Sequence, residues 1–255
     1  MADGSDECYL DHAASTPLRP EARAAWLAAA DTHHANPTGA HAAARAARRA
    51  LDAARDEIAA SLGRDPGEIV FTSGGSEADN LAVRGVLAAV GGVAVCSAGE
   101  HHAVLEPVEH AGGVTVGLES DGAVAPDRLA AVLDRLDDVR LVSIIAVNNE
   151  TGAVNDLDAL VEVTRRHAPD ALVHTDAVQA VPWIDVAAAT AACDLVSVTG
   201  HKVGGPVGQG VLVVGERARL EPLIVGGGQE QGRRAGTPAV ALAASFAAAL
   251  TVTTD

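Results

Sequence analysis

Residues 69–80 read Ile69-Val70-Phe71-Thr72-Ser73-Gly74-Gly75-Ser76-Glu77-Ala78-Asp79-Asn80. An apolar run rich in strand formers passes into a small polar turn, and the turn into a helix-forming stretch over 76–90. The alternation recurs along the chain. Further short runs are Val93-Ala94-Val95, Val114-Thr115-Val116, Leu141 to Val147, Leu172-Val173-His174, Leu195-Val196-Ser197-Val198 and Val211-Leu212-Val213-Val214. Other helix-length stretches rich in Ala, Leu, Arg and Glu cover 40–62, 126–136 and 157–168. Strands alternating with helices predict an α/β fold: a mainly parallel, mixed seven-stranded sheet flanked by helices. Runs that are apolar throughout suit strands buried on both faces. The first forty residues read as more irregular, with turns near Pro17 and Pro37. No linker, repeat or low-complexity tract interrupts the pattern.

Hydrophobic residues make up 48% of the chain and aromatics only 2%, so the core should consist of closely packed small side chains. The formal net charge of −16 argues against nucleic acid or an anionic membrane as a partner. A small anionic ligand would need local donors such as backbone amides. Cys8, Cys96 and Cys193 are widely spaced and form no metal or disulfide motif. With no run approaching a membrane span and no apolar signal core in Met1–Glu7, the expected location is the cytoplasm.

In sheets of this kind ligands bind beyond the carboxyl ends of the strands. Four polar clusters fall there: Ser73-Gly74-Gly75-Ser76, Asn148-Asn149-Glu150, Thr175-Asp176 and Thr199-Gly200-His201-Lys202. Lys202 is the single lysine beside 17 arginines. A lysine amine can lose its proton and attack a carbonyl, which guanidinium does not do. Gly75 and Ser76 form either a phosphate cup or an ordinary strand–helix turn with Ser76 as cap. Asp176 can hold a cationic ring nitrogen or cap a helix. Asn148 and Asn149 can donate to a ligand oxygen or shape a turn. His101 can stack on an aromatic cofactor; the adjacent His101-His102 pair is poor metal geometry. The loop Gly226 to Thr237, with Arg233 and Arg234, either adds donors to a phosphate or is a solvated surface loop. A hydrolase reading with Ser76, Asp176 and His201 has the right chain order but leaves Lys202 without a role.

Together these pieces resemble the cysteine desulfurases, of the class-V aminotransferase group of pyridoxal phosphate (PLP) enzymes. The matching stretches are Tyr9 to Pro17, Asn36-Pro37, Ile69 to Asn80, Glu100 to Val104, Val147 to Gly152, His174 to Gln179, Thr199 to Lys202, Gly226 to Glu230 and Arg233 to Thr237. The resemblance implies that Lys202 forms the cofactor imine and that Asp176 pairs with the pyridine nitrogen. It places Gln179 and Asn149 near the ring hydroxyl, and His101 on the ring face as a participant in proton transfer. Gly75, Ser76, Thr199 and His201 would hold the phosphate. Thr237 would reach the phosphate of a partner subunit, implying a homodimer. The implied reaction turns L-cysteine into L-alanine and leaves a persulfide, passed to a sulfur-acceptor or iron–sulfur scaffold protein, with no metal at the site. Residues 1–20 would form an N-terminal segment and 21–255 the PLP-binding large domain. The family's C-terminal small domain, with its cysteine loop and substrate-carboxylate arginine, has no counterpart in the sequence. A PLP-holding subunit without turnover, or another class-V lyase, is the alternative.

Overall fold

Strand β1 (Ile69–Thr72) lies at one edge of a seven-stranded sheet in a computed structural model that describes residues 8–254. The Met1–Glu7 stretch, read above as lacking a signal core, lies outside the described residues, as does Asp255. The other strands are β2 (Val93–Ser97), β3 (Val114–Val116), β4 (Val139–Ser143), β5 (Leu172–Asp176), β6 (Leu195–Thr199) and β7 (Gly210–Val214). Their order is β1-β7-β6-β5-β4-β2-β3. Only β7 runs against its neighbours, pairing antiparallel with both β1 and β6. The connection 200–209 holds just a short 3₁₀ turn, Gly200–Lys202, too little for the crossover that a parallel partner needs.

The helices are α1 (Pro20–Thr32), α2 (Ala42–Ser61), α3 (Gly75–Asn80), α4 (Val86–Val90), α5 (His102–His110), α6 (Pro126–Leu133), α7 (Leu157–His167), α8 (Val186–Ala189) and α9 (Val240–Thr254). The strand period of two sends alternate residues to two cores. Ile69, Phe71, Val173, Val196 and Val213 face Ile58 of α2, Leu160 of α7 and Phe246 of α9. Val70, Leu141, Leu172, Leu195 and Leu212 face Val86 of α4 and Val104 and Val108 of α5. Among the described residues no helix is long and apolar enough to cross a membrane.

Three expectations change. The N-terminal forty residues are not simply irregular: α1 begins at Pro20, whose fixed φ and missing N–H suit a first helical turn. The helix expected over 76–90 is divided by a π-helical turn, Leu81–Gly85. The run Leu141–Val147 stays in the ladder only to Ser143. Beyond it, Ile144 and Ala146 still donate to the His174 and Asp176 carbonyls at 3.0 and 2.9 Å. On the β2 side, however, the Ile145 N–H is taken by the Glu100 carboxyl at 2.6 Å. A side chain thus ends the pairing there.

Candidate active site

Because β1, β4, β5 and β6 run in one direction, their carboxyl ends open on one side. A cavity of about 610 Å³ lies there. It is lined by Gly75, Ser76, His101, Asn149, Asp176, Gln179, Thr199, His201 and Lys202, together with Asp11, Ala13 and Asp79. Thr237 is not among these; it lines a separate cavity with Ser73, Glu230 and Arg234.

The β1–α3 turn is shaped by Gly74 at φ +150°, a region few side chains tolerate. A Cβ on Gly75 would stand 2.9 Å from Val178 Cγ2, so only glycine leaves this wall open. Gly74, not Ser76, is the residue that precedes the helix, and Ser76, which lines the cavity, makes no cap. The first N–H groups of the helix lack partners within it. Glu77, which also lines the cavity, braces the turn: it accepts from the Ser73 N–H at 2.7 Å and from Arg234 at 2.8 Å. Burial opposes its ionisation, but these hydrogen bonds prevail and hold it below the usual glutamate value.

Asp176 ends β5, buried, with Oδ1 accepting the Val178 N–H at 2.9 Å. No helix starts there, so it caps none. Burial raises its pKa, against the pull of the Val178 N–H, His101 and Lys202. Lys202, in the turn after β6, donates to the Ala13 carbonyl. Burial lowers its pKa, which favours the neutral, nucleophilic amine, while Asp176 and Asp11 act in the other direction. Gln179 donates to the same Ala13 carbonyl at 2.6 Å. His101 precedes α5, and its Nδ1 accepts the Ala103 N–H at 3.1 Å, which leaves Nε2 to carry the proton of the neutral ring. His201 has its pKa lowered by burial and by Lys202, with Nδ1 3.1 Å from Thr199 Oγ1.

The ambiguous pairs separate. Asn148 builds a turn, its Oδ1 accepting from the Glu150 and Thr151 N–H groups at 2.9 and 2.8 Å, while Asn149 lines the cavity. His102 points away to solvent, 3.6 Å from Glu106. Within this chain the charged side chains of the 226–237 loop are held by protein partners. Arg234 is engaged by Glu77 and Arg233 by the Gly67 carbonyl, and Glu230 makes a buried two-point pair with Arg55 at 2.8 and 2.9 Å. A hydrolase relay is not assembled: His201 Nδ1 faces Thr199 and Asp176 Oδ1 faces Val178.

Sequence reading passed over two buried carboxyls, Asp79 and Glu100. Asp79 sits one position after Ala78 and four before Val83, on the buried face of the 75–90 helical run. An acid on an otherwise apolar helical face was the available signal. Glu100 accepts from Ser97 Oγ at 2.7 Å and from the Ile145 N–H at 2.6 Å, and burial raises its pKa to about 8.

A family model for class-V aminotransferases matches residues 8–255. An IscS-like cysteine desulfurase of Mycobacterium tuberculosis is 39% identical over 97% of the chain and 65% of its own length. A cysteine desulfurase IscS of Dictyoglomus turgidum is 40% identical over 92% of the chain and 61% of its own. The chain therefore spans somewhat under two thirds of these relatives. Among solved structures, a NifS-like protein superposes with a TM-score of 0.90 at 30% identity, over 95% of this chain and 68% of that one. SspA in complex with cysteine gives 0.87 at 34% identity, over 96% and 72%. A match running from residue 8 to 255, on a shared fold, shows that the chain belongs to the class-V aminotransferase family.

Proposed function

We propose that the chain is the cofactor-binding part, residues 21–255 with the N-terminal segment as one wall, of a PLP-dependent cysteine desulfurase. One observation carries the reading: the single lysine and the buried Asp176 face one cavity beside a glycine turn that a Cβ would fill. These groups fit the cofactor. An amine suits its aldehyde, a buried carboxylate its ring nitrogen, and a helix start with Ser76, Thr199 and His201 its phosphate. PLP, when bound, supplies an electron sink for a carbanion at the amino-acid α-carbon.

The residues divide the remaining work. Lys202 is the anchoring amine and the base for the α-proton; burial keeps more of it deprotonated than in free lysine. Asp176 holds the proton of the ring nitrogen. His101 covers the ring face and moves a proton through Nε2. Gln179 and Asn149 meet the ring hydroxyl. Thr237 serves the phosphate of a second copy, a role supported by its place outside its own cavity, and the working unit is a homodimer.

L-cysteine is the substrate, in keeping with the relatives' names and with the cysteine complex of SspA. The product sulfur goes to a persulfide and then to a sulfur-acceptor or iron–sulfur scaffold protein. Cys96 and Cys193 are unsuited to accept it, since burial pushes both thiols up to about 12. The free cysteines suit a reducing compartment, the cytoplasm.

The test is to load the protein with PLP, add L-cysteine and a small-molecule thiol, and measure alanine and sulfide. Equal release of both supports the proposal. A bound cofactor with no alanine indicates a PLP-holding subunit, and failure to bind the cofactor sinks the reading altogether.

A further inference from the structure

Behind the cavity lies a buried polar layer that the proposed chemistry leaves unused. On the sheet face covered by α3 and α5, His174 stands between two serines, with Ser143 Oγ 2.8 Å from Nδ1 and Ser197 Oγ 3.0 Å from Nε2. All three are fully buried. Burial depresses His174 to about 3, so the ring is neutral. Asp79 comes down from α3 with Oδ1 3.7 Å from His174 Nε2. The residue is 2% exposed, and among the described residues that oxygen has no hydrogen-bond partner. An ionised carboxylate oxygen left bare in such surroundings costs several kcal/mol, whereas a protonated one is far cheaper to bury.

Asp79 and Asp176 line the same cavity. Asp176 lies two residues along β5 from His174 and hence on the same face of the sheet. The charged and titratable groups around the pair are unequally placed. Lys202, from the turn after β6, and His101, at the start of α5, favour charge on Asp176. Asp79 meets the carboxylates of Asp176 and Glu100 and the neutral His174; only the Ser197 hydroxyl favours its charge. Two buried carboxyls that repel one another across one cavity titrate as a unit, losing their protons in two steps.

We infer that Asp79 is a positioning residue for Asp176, the two carboxyls together holding one proton and one negative charge through the neutral range. The inference deepens the cofactor reading above. A pair with a single charge, directed by its surroundings to Asp176, matches a ring with a single positive charge. A cation in the cavity lowers the second step of the pair, because it stabilises further negative charge nearby, and the released proton goes to solvent.

The test uses protein labelled with ¹³C at the aspartate carboxyls, which leaves Glu100 silent, titrated by NMR without ligand and again with PLP. Without ligand, one buried aspartate should titrate well above the ordinary carboxylate range. That step should be lost in Asp79→Asn and should fall in Asp176→Asn, where the neighbouring charge is gone. Bound PLP should lower it in the wild type. A step unchanged in Asp176→Asn, or no elevated step in the wild type, overturns the inference. The ligand-free titration stands whether or not PLP binds, so failure of the cofactor reading is seen separately. Should Asp79→Asn not fold, Asp176→Asn decides the matter alone.

Discussion

Glu100→Gln should stabilise the protein, by an amount that grows with pH. Glu100 is buried; its Oε1 accepts two hydrogen bonds, from Ser97 and Ile145, and its Oε2 has no partner among the described residues. Burial, with the Asp176 charge adding to it, raises its pKa from 4.5 to about 8, against the pull of those hydrogen bonds. The folded chain therefore binds a proton that the unfolded chain has released between these two values. In that window the unfolded state carries fewer protons, so stability falls as pH rises, by about 1.4 kcal/mol per pH unit. The loss reaches roughly 3 kcal/mol at pH 7 and roughly 5 kcal/mol above pH 8, where the slope vanishes. Total stabilities are commonly only about 5–15 kcal/mol, so the effect is large. Glutamine keeps the Oε1 acceptor for Ser97 and Ile145 and has no proton to lose. Urea denaturation of both proteins from pH 5 to 9 should give a stability difference that widens up to about pH 8 and then levels. A difference that stays constant across the range would refute the reasoning, since a packing or hydrogen-bond effect carries no pH dependence.

Three further substitutions probe the cofactor site and the 226–237 loop. Lys202→Ala should abolish the visible absorbance of a lysine-bound cofactor and its trapping by borohydride. Retention of both would overturn the assignment, because the chain has no other lysine. Arg55→Met should cost about 3–5 kcal/mol in denaturant titrations, because it strands the buried Glu230 carboxylate, whose Oε2 also accepts the Phe71 N–H at 2.9 Å. Adding Glu230→Gln should recover much of that loss; an additive loss would show that the pair is not coupled.

The sheet was legible because its strands are covered on both faces and read as unbroken apolar runs, for example Val211 to Val214. Helix α9 was not. Its sequence, Val240 to Thr254, is Ala-rich and apolar on nearly every side, so it shows no helical stripe; it packs against both α1 and α2 and needs no polar face there. Helix α1 was hidden for a related reason, since only Ala22 and Ala29 of its thirteen residues are buried. The end of β4 was misjudged because the sequence of Ile144 to Val147 gives no sign that a carboxylate 45 residues earlier takes the Ile145 N–H.

The candidate site was easier to read than the helices for a geometric reason. Parallel strands bring their polar ends to one side, so clusters far apart in sequence become neighbours without any knowledge of the loops. What lies between and beneath those ends follows no such rule. The Ala13 carbonyl receives both Lys202 and Gln179, while Thr16 donates to the His201 carbonyl at 2.8 Å and accepts the Gly204 N–H at 2.7 Å. Residues 11–19 are thus fastened to the Lys202 turn by contacts that span some 185 positions. The position of the lysine amine is consequently set by a stretch with no regular structure and no periodicity. The same holds for Asp79 and Glu100, which stand on other elements and whose ionisation the Asp176 charge opposes through space. Residue type at a strand end is a local property and is written locally. The charge that such a residue carries is fixed by neighbours brought in by the fold, and that part becomes visible only once the chain has been closed around it.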